Sequence, residues 1–358
     1  MHAIDLNIQN FRNIQDIQLA ADPGVNIIYG ENAQGKTNII EAIWLFTGAK
    51  SFRGAKDSQL LRIGEQQARL QLAFFCENRK QTAQIVIETR KKTYLNEVEL
   101  NPPSALAGHL QAIVFAPQDL GLVNEGPAAR RRMLDLGIGL LYPSYIQKLK
   151  TYNHTLQQRN ALLKTLRFNA SMYPCLEDYD ASLSRQGAEI IRQRQRYTAQ
   201  LTEEIPGIYN GLADGREALQ IAYAATADTD PERYYAKLKA QQKEDIKNIA
   251  TSVGPHRDEL EIHIEGKPAR IYASQGQRRS AALTLKLAQA ALIKKATGEQ
   301  PIALLDDVLS ELDEKRQHYI LNHIKNWQVF ITCCDPSQIE RMTKGKVFRV
   351  QNGTLAEA

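Results

Sequence analysis

The hydrophobic positions of this chain change their spacing along its length, and each spacing predicts a different element. Near the N-terminus, Ile4, Leu6 and Ile8 alternate with polar residues, which is typical of a strand with one buried face. Residues 25–29 form a short apolar run that leads directly into a glycine-rich turn. Apolar residues then recur at helical spacing over 38–47, so the pattern predicts a strand, a tight turn and a helix in immediate succession.

The next stretch predicts further strands. Residues 70–76, 84–88 and 93–100 are rich in strand-forming side chains and are separated by polar turns, which indicates an antiparallel meander. A further short apolar strand is predicted at 113–115.

The character of the chain changes between about residue 120 and residue 250. Tyrosines and leucines recur there at helical steps, and a second helical stretch is predicted over 180–204. Pro174 and Pro206 are expected to interrupt the helices of this region. We interpret it as a mostly helical insertion.

Strands return after residue 250. Residues 259–274 predict a hairpin around Glu265-Gly266, while 302–305 and 329–332 are short and fully apolar, as buried parallel strands are. The fold class is therefore predicted to be α/β, with a head built from both ends of the chain and interrupted by a helical arm. The expected divisions are 1–120 for the N-terminal part of the head, 121–250 for the arm and 251–358 for the C-terminal part.

The composition of the chain excludes few functional classes of protein. The chain of 358 residues carries a formal net charge of +5, which permits a polyanionic partner without demanding one. Its four cysteines show no metal-binding spacing, so a reduced, cytoplasmic setting is expected. No apolar run approaches the roughly 20 residues of a membrane span, and no membrane partner is expected.

The turn after the strand at 25–29 carries the clearest chemical signal, because it fits the pattern GxxxxGK[ST] between a strand and a helix. Backbone N–H groups of such a loop point at phosphates, and the helix N-terminus favours negative charge. Lys36 is expected to neutralise the β- and γ-phosphates of ATP, and Thr37 to bind Mg²⁺. A plain tight turn is the alternative. The motif consists of Gly30, Glu31, Asn32, Ala33, Gln34, Gly35, Lys36 and Thr37.

A second strand ends in two carboxylates, Asp306 and Asp307. Ligands of open α/β sheets lie at the carboxyl ends of the strands, so these acids should face the same phosphates. We expect Asp306 to bind Mg²⁺ and Asp307 to act as the general base that polarises the attacking water. Alternatively, the two acids merely cap the helix that follows.

A third segment, SQGQRR at 274–279, opens a strongly helical run far from the phosphate loop. The order of these motifs resembles the ABC-type ATPases, whose signature sequence runs Ser-x-Gly-Gly/Gln and completes the ATP site of a partner subunit. The resemblance implies nucleotide contacts from Ser274, Gly276 and Gln277, and a D-loop at 310–313. It also implies a catalytic, Mg²⁺-sensing glutamine at Gln118. Ordinary helix capping by Ser274 and a surface loop at Gln118 are the alternatives.

The resemblance can be narrowed to the RecF family of DNA replication and repair ATPases, relatives of the SMC heads. The segments that carry it are 10–13 (NFRN), 130–135 (RRRMLD), 254–260 (GPHRDEL), SQGQRR and 304–313 (LLDDVLSELD). It implies that Arg12 approaches the nucleotide, and that an ATP-dependent homodimer binds double-stranded, gapped or junction DNA. It also implies help in loading RecA together with RecO and RecR. His256 and Arg257 either organise a loop or contact nucleotide or DNA.

Two departures from the ABC pattern affect the expected chemistry. The pair Asp306-Asp307 replaces the usual Asp-Glu, and no histidine follows the strand at 329–332. We therefore expect weak, DNA-stimulated hydrolysis of ATP. Two functions stay open beside DNA repair, namely a transporter's nucleotide-binding subunit and a non-catalytic scaffold on DNA.

DNA contacts are predicted from local basic clusters, since the net charge is small. The first candidate is the run of Arg130, Arg131 and Arg132, of which two side chains could face one strand. Internal salt bridges or a solvated helix face are the alternatives.

Overall fold

The computed structural model describes residues 1–213, 215–337, 339 and 344–357. Its strands are β1 His2–Phe11, β2 Ile14–Ala20, β3 Val25–Tyr29, β4 Ala68–Cys76, β5 Arg79–Ile87, β6 Lys91–Leu95, β7 Val98–Leu100, β8 Ala112–Phe115, β9 Leu219–Ala224, β10 Glu259–Ile264, β11 Lys267–Pro268, β12 Ile302–Asp306, β13 Val329–Cys333, β14 Lys346–Gln351 and β15 Thr354–Glu357. Its helices are α1 Lys36–Leu45, α2 Pro117–Leu120, α3 Pro127–Leu141, α4 Pro143–Leu166, α5 Tyr173–Ala213, α6 Pro231–Asn248, α7 Ala269–Tyr272, α8 Gln275–Thr297 and α9 Glu314–His323.

These elements form two compact units. The first unit comprises Met1–Gly121, Gly207–Glu217 and Ser274–Ala358, and the second comprises Leu122–Pro206 and Ala218–Ala273. The α/β fold class is confirmed, with a head made from both chain ends and a helical insertion. The division differs from the expected boundary at residue 250, because β10 pairs with β9 and so groups residues 251–273 with the second unit.

A largely parallel sheet forms the centre of the first unit, with the strand order β15-β14-β3-β13-β12-β8. Every residue of β8 and β12 is buried, which explains why both strands are apolar up to Asp306 at the end of β12. Since β8, β12, β13 and β3 run parallel, their carboxyl ends meet at one edge of the sheet. That edge brings together three segments that are far apart in the sequence.

The second sheet of the first unit is antiparallel, in the order β2-β1-β4-β5-β6-β7. The predicted meander is confirmed, with one change. The strand predicted over 93–100 is divided into β6 and β7 by a turn at Asn96-Glu97, where both residues have positive φ. The pairing of β1 with β2 was not predicted, although Ile14, Ile17 and Leu19 are buried on its inner face.

The second unit contains α3, α4, α6, most of α5 and the three-stranded antiparallel sheet β11-β10-β9. The break expected at Pro174 is present, since α5 begins at Tyr173, whereas the break expected at Pro206 is absent. Pro174 lies in the first turn of α5, where its missing N–H is not needed, and α5 continues through Pro206 to Ala213. Strand β9 was also missed, because its length of six residues gives a weak pattern inside a helical region.

No helix of the part of the chain described above is long and apolar enough to cross a membrane.

Candidate functional site

The phosphate loop lies at the carboxyl end of β3 and opens α1. Its backbone enters the left-handed region at Ala33 (φ 66°) and at Gly35 (φ 114°), the residue that precedes the helix. Gly30 also has a positive φ, and a Cβ atom there would lie 2.3 Å from the carbonyl oxygen of Val350. The loop therefore needs glycine at the start and before the helix for reasons of backbone geometry as well as phosphate access.

Neighbouring strands hold the loop in this shape. Asn13, in the turn between β1 and β2, donates from Nδ2 to the carbonyl oxygen of Ala33 at 2.9 Å. A Cβ atom on Gly35 would lie 2.8 Å from Asn13 Oδ1, so the asparagine packs directly against the loop. On the other side, Gln34 Oε1 accepts a hydrogen bond from the backbone N–H of Asn352 at 2.6 Å. The loop is thus held from both sides by residues of the first unit.

Lys36 is buried, with 4% of its surface exposed. Its ammonium donates to the carbonyl oxygens of Gly30 at 2.7 Å and Glu31 at 3.1 Å, which directs the positive charge back into the loop. It also lies 3.6 Å from the thiol of Cys334. A cation held in this position faces the space that the phosphate loop encloses.

Cys333 is the last residue of β13, and Cys334 comes directly after it. The thiol of Cys334 is exposed and donates to Asn32 Oδ1 of the phosphate loop at 3.3 Å. Cys333 is half-buried, and burial raises the pKa of its thiol to about 12, so it stays protonated at neutral pH. All four cysteines belong to the described part of the chain, and all four are free thiols.

Asp306 ends β12 beside the phosphate loop. Its Oδ1 accepts hydrogen bonds from Thr37 Oγ1 at 2.8 Å and from Thr332 Oγ1 at 3.0 Å. Burial raises the pKa of this carboxyl above its ordinary value, while the two hydroxyl donors act in the opposite direction. A buried carboxylate beside a threonine hydroxyl supplies the hard oxygen ligands that Mg²⁺ prefers.

Protein side chains alone would not complete the coordination of a metal ion at this site. Among the residues that the structure describes, no group of three or more His, Cys, Asp and Glu side chains could hold a metal ion. Magnesium sites often have few carboxylates and are completed by substrate phosphates and water. Thr37 and Asp306 fit that kind of site.

Asp307 has an unusual backbone, with φ at 49°. Its N–H donates to Thr332 Oγ1 at 2.9 Å, so the same hydroxyl contacts the backbone of Asp307 and the carboxylate of Asp306. The alternative that the two acids cap the next helix does not describe this structure. Asp313 is the cap of α9 and accepts from the N–H of Arg316 at 3.0 Å.

Gln118 lies in the short helix α2, just beyond the carboxyl end of β8. The residue is exposed, and its Nε2 donates to the carbonyl oxygen of Phe52 at 3.2 Å. Because β8 is the neighbour of β12 in the parallel sheet, Gln118 and Asp306 lie at the same sheet edge. The role predicted for Gln118 stays a prediction.

The guanidinium of Arg12 is occupied by another partner. It makes two hydrogen bonds of 3.0 Å to the carboxylate of Glu41, a fully buried residue of α1, and a third to the carbonyl oxygen of Gln59 at 3.1 Å. Arg12 therefore braces the helix that starts at the phosphate loop. Its predicted approach to a nucleotide would require these bonds to be shared.

The signature segment forms a complete capping box at the start of α8. Ser274 Oγ accepts from the N–H of Gln277 at 3.2 Å, and Gln277 Oε1 accepts from the N–H of Ser274 at 2.7 Å. Ser274 is thus an N-cap, as the alternative interpretation had it, and remains exposed. Glu217 accepts from Gln277 Nε2 at 2.7 Å and fixes the orientation of that amide.

Arg316 connects the signature segment to the segment after β12. Its guanidinium donates to the carbonyl oxygen of Gly276 at 3.0 Å and to Ser280 Oγ at 2.9 Å, and it forms an ion pair with Asp313. A Cβ atom on Gly276 would lie 3.1 Å from Arg316 Nη2, which favours glycine at this close approach. Contacts inside the first unit therefore account for the glycine at position 276, and so does the resemblance to the ABC signature sequence.

The prediction that the arginine run at 130–132 faces DNA needs correction at Arg130. This residue is 5% exposed and makes two hydrogen bonds of 2.7 Å to the carboxylate of Glu259, as well as bonds to backbone carbonyls. Arg131 donates to the carbonyl oxygen of Asp258 at 2.7 Å. Arg132 is the exposed member of the run. Arg130 stabilises the second unit from within, because its guanidinium satisfies several backbone carbonyl groups at once.

The GPHRDEL segment has a structural role in the second unit. His256 Nε2 lies 2.9 Å from the carbonyl oxygen of Thr251, which can only accept, so this nitrogen carries the proton. Nδ1 then accepts from the hydroxyl of Tyr152 at 2.7 Å. Burial lowers the pKa of His256 to about 4, so the ring is neutral at physiological pH. These contacts support the interpretation in which His256 organises its loop.

Residues that the motifs did not single out complete the site. Asn13 was part of the NFRN segment but had no assigned role, and Thr332 had none beyond its place in the predicted strand at 329–332. Their roles depend on pairing between distant strands, which no local pattern contains. The weak signal that was available is a short polar side chain at a strand end or turn next to a glycine-rich loop.

Known proteins are similar to this chain over nearly its whole length. The family model described as "RecF/RecN/SMC N terminal domain" matches residues 3–356. Proteins called "DNA replication and repair protein RecF" are similar over nearly the whole length. The protein of Lachnoclostridium phytofermentans is 37% identical over 355 residues, which cover 98% of each chain. That of Agathobacter rectalis is 38% identical over 356 residues, which cover 98% of this chain and 97% of the other.

Solved structures give the same result. A structure described as "the recombination mediator protein RecF-ATPrS in RecFOR pathway" superposes with a TM-score of 0.93 at 33% identity, covering 99% of this chain and 98% of the other. The corresponding structure with ATP has a TM-score of 0.91 at 33% identity, covering 100% and 97%. An Smc head domain from Pyrococcus furiosus matches with a TM-score of 0.56 at 15% identity, which indicates a common fold.

Proposed function

The chain belongs to the RecF/RecN/SMC family, and from that premise we propose that it is an ATP-dependent DNA-binding protein of recombinational repair and replication restart. In this proposal ATP closes a homodimer on DNA, and slow hydrolysis opens it again. The observation that carries the proposal is the single sheet edge at which Lys36, Thr37 and Asp306 meet, with Thr37 Oγ1 2.8 Å from Asp306 Oδ1. The relatives named above supply the biological setting.

The residues present fit Mg²⁺·ATP. Backbone N–H groups of the glycine-rich loop and the start of α1 favour phosphate, and the ammonium of Lys36 is held inside the loop. Thr37 and Asp306 would hold Mg²⁺ through oxygen atoms, directly or through water. When bound, the ion would neutralise the charge that develops on the phosphates during transfer.

Asp307 is the residue that we propose to activate the attacking water. Its backbone is fixed by Thr332, so its short side chain has few positions available. A carboxylate that accepts the water's proton creates a better nucleophile for the γ-phosphate. An aspartate reaches less far than the usual glutamate, which supports slow turnover. Lys36 would stabilise the negative charge that accumulates on the phosphate oxygens.

The signature segment is proposed to act on the ATP of a second copy of the chain. Ser274 caps α8 and is exposed, and it lies at a helix start that carries a partial positive charge. Each homodimer would then contain two composite sites, each with a phosphate loop from one copy and a signature from the other. DNA would bind only to the closed form, through exposed cations.

We further propose that the protein works with RecO and RecR and assists the loading of RecA at gapped or junction DNA, in the cytoplasm. These partners come from the pathway in which the similar structures are placed. A transporter subunit is set aside, because the family model and the RecF proteins match nearly the whole chain. A non-catalytic scaffold differs from the proposal only in turnover, and DNA-stimulated phosphate release by the purified protein would distinguish the two.

The test is sedimentation velocity of the full chain with and without ATP and DNA. We expect a dimer only when ATP is present, and DNA in the dimer fraction. Lys36→Ala should remain a monomer and fail to bind ATP, since the cation facing the β- and γ-phosphates is gone. A parent protein that stays monomeric in saturating Mg²⁺·ATP would contradict the proposal.

A mixing experiment tests the composite site. Ser274→Arg should bind ATP but not dimerise, because the bulky cation takes the place of the signature hydroxyl. A mixture of Ser274→Arg with Lys36→Ala can form one composite site from an intact loop and an intact signature. Partial recovery of the dimer would support the arrangement, and no recovery from two folded variants would count against it.

A further inference from the structure

The helix that begins at the signature segment also contacts the turn that carries Gln118. Lys286 lies on α8, twelve residues after Ser274, and its Nζ is 2.8 Å from Oδ1 of Asp119. At a rise of 1.5 Å per residue these two positions of the helix are about 18 Å apart. Both ends of the contact belong to the first unit, and α2 packs against α8.

The ion pair is well shielded from water. Lys286 is 7% exposed, and the side chain of Asp119 is 22% exposed. A charge buried to this extent is stable only while it is paired, because an isolated one would lose its hydration without compensation. The pair should therefore stay together when α8 moves, instead of exchanging for water as a surface pair would.

Asp119 is also tied to the turn itself. Its second oxygen, Oδ2, accepts from the N–H of Ala116 at 2.8 Å. Ala116 is the N-cap of the four-residue helix α2, so this bond ties Asp119 to the start of the helix. Gln118 is the neighbour of Asp119 in that helix and donates to the carbonyl oxygen of Phe52. A displacement of Lys286 would thus be passed through Asp119 to the backbone that carries Gln118.

We propose that Lys286 and Asp119 are positioning residues, which transmit engagement of the Ser274 end of α8 to Gln118 in the same chain. The proposal rests on the composite site of the proposed function, since a partner's nucleotide is what the Ser274 end would engage. Occupation of the partner's site by ATP would in this way adjust Gln118 beside a chain's own nucleotide. The two sites of a dimer would be coupled through α8.

The first test is steady-state ATP hydrolysis by the full-length chain. We expect Lys286→Met/Asp119→Asn to lower kcat by about tenfold, which corresponds to a loss of about 1.4 kcal/mol of transition-state stabilisation. The Kd for ATP should stay within about twofold, because the phosphate loop is untouched. Replacing both residues avoids leaving one buried charge unpaired, and the melting temperature shows whether the variant folds.

Two controls separate positioning from general destabilisation. Lys286→Arg keeps the charge and should keep most of the activity, whereas Lys294→Met makes the Lys-to-Met change at an exposed position of the same helix and should have no effect. Adding Gln118→Ala to the Lys286→Met/Asp119→Asn variant should lower kcat no further than Gln118→Ala does alone. Losses that multiply would overturn the proposal, because they would mean that the pair does not act through Gln118.

A fluorescence readout does not depend on hydrolysis. The chain has two tryptophans, and in a Trp327→Phe background Trp44 is the only one. The ring of Trp44 meets the ring of Phe52 edge-on at 6.4 Å, and Phe52 is the residue whose carbonyl Gln118 contacts. We expect Mg²⁺·ATP to change the Trp44 emission, and this change to be reduced equally by Ser274→Arg and by Lys286→Met/Asp119→Asn.

The outcomes distinguish the two proposals. If the parent does not dimerise with ATP, the proposed function fails, and the coupling fails with it. If the parent dimerises and Lys286→Met/Asp119→Asn keeps both the parent's kcat and its full emission change, the coupling alone is wrong.

Discussion

Thr332→Val should remove the two hydrogen bonds by which a hydroxyl of β13 holds the adjacent end of β12. Thr332 is 1% exposed, and its hydroxyl donates to Asp306 Oδ1 at 3.0 Å and accepts from the N–H of Asp307 at 2.9 Å. Valine has nearly the same shape and keeps the packing, so only these two hydrogen bonds are lost. Thr332→Ser is the matched control, since it keeps the hydroxyl and loses a methyl group.

The size of the effect follows from the two bonds. A hydrogen bond to a charged group contributes about 1.5–3 kcal/mol, and a buried N–H left without a partner costs about 1–3 kcal/mol. Together they predict that Thr332→Val lowers the free energy of unfolding by about 2.5–6 kcal/mol. Thr332→Ser should cost about 1 kcal/mol, which is the contribution of one buried methyl group.

Activity should fall in the same order. Asp307 has a positive φ that the bond from its N–H to Thr332 helps to hold, so the carboxylate loses its fixed position in Thr332→Val. A loss of about 1.4 kcal/mol at the transition state would reduce kcat about tenfold. ATP binding should be retained, because Lys36 and the phosphate loop are unchanged.

Urea unfolding and steady-state phosphate release measure the two effects. The urea midpoint of Thr332→Val should lie well below that of Thr332→Ser, with similar m-values. If both variants unfold at the same midpoint and hydrolyse ATP equally fast, the hydroxyl does not hold the two carboxylates and the reasoning is refuted.

Three further predictions test other parts of the molecule. Asp307→Asn should bind Mg²⁺·ATP and form a long-lived dimer with little phosphate release; parent-like turnover would place the general base elsewhere. Arg130→Ala should lower the free energy of unfolding by about 3–5 kcal/mol in urea titrations, since it removes the buried partner of the Glu259 carboxylate and of two backbone carbonyl oxygens. Arg132→Ala, at the exposed end of the run, should change it by less than about 0.5 kcal/mol, and equal effects would contradict the assigned burial. The pKa of His256 is lowered from 6.5 to about 4, so the unfolded chain takes up a proton first as the pH falls, and stability should decrease by about 3 kcal/mol between pH 6.5 and 4 and level off below. His256→Gln should flatten that part of the urea-midpoint profile, and an unchanged slope would refute the assignment.

Local patterns were sufficient for the central part of the first unit. The apolar run at 25–29, the glycine-rich turn and the helical spacing after it predicted β3, the phosphate loop and α1 closely. The two other apolar runs, at 302–305 and 329–332, predicted β12 and β13, because a strand buried on both faces consists mostly of apolar residues. The phosphate loop after 25–29 and the acidic end of the strand at 302–305 were both expected at the carboxyl edge of one sheet. This indicated that Asp306 would lie close to Thr37.

Local patterns failed where a side chain has two possible environments. Three consecutive arginines look the same in sequence whether they face solvent or a partly buried carboxylate, and only the packing of α3 against β10 brings Glu259 to Arg130. Pro206 is a poor helix residue by propensity, yet α5 continues through it, since the packing of a long helix can outweigh one missing hydrogen bond.

The sequence by itself therefore determined the phosphate loop, the acidic strand end, the family and the order of the elements, because these depend on residues close together in the chain. Only the tertiary structure decided which side chains hold that chemistry in place. Thr332 meets Asp306 across 26 positions of sequence, and Lys286 meets Asp119 across a larger separation. The physical reason is that a hydrogen bond or an ion pair depends on distance in space, and strand pairing and helix packing set that distance for residues far apart in the chain.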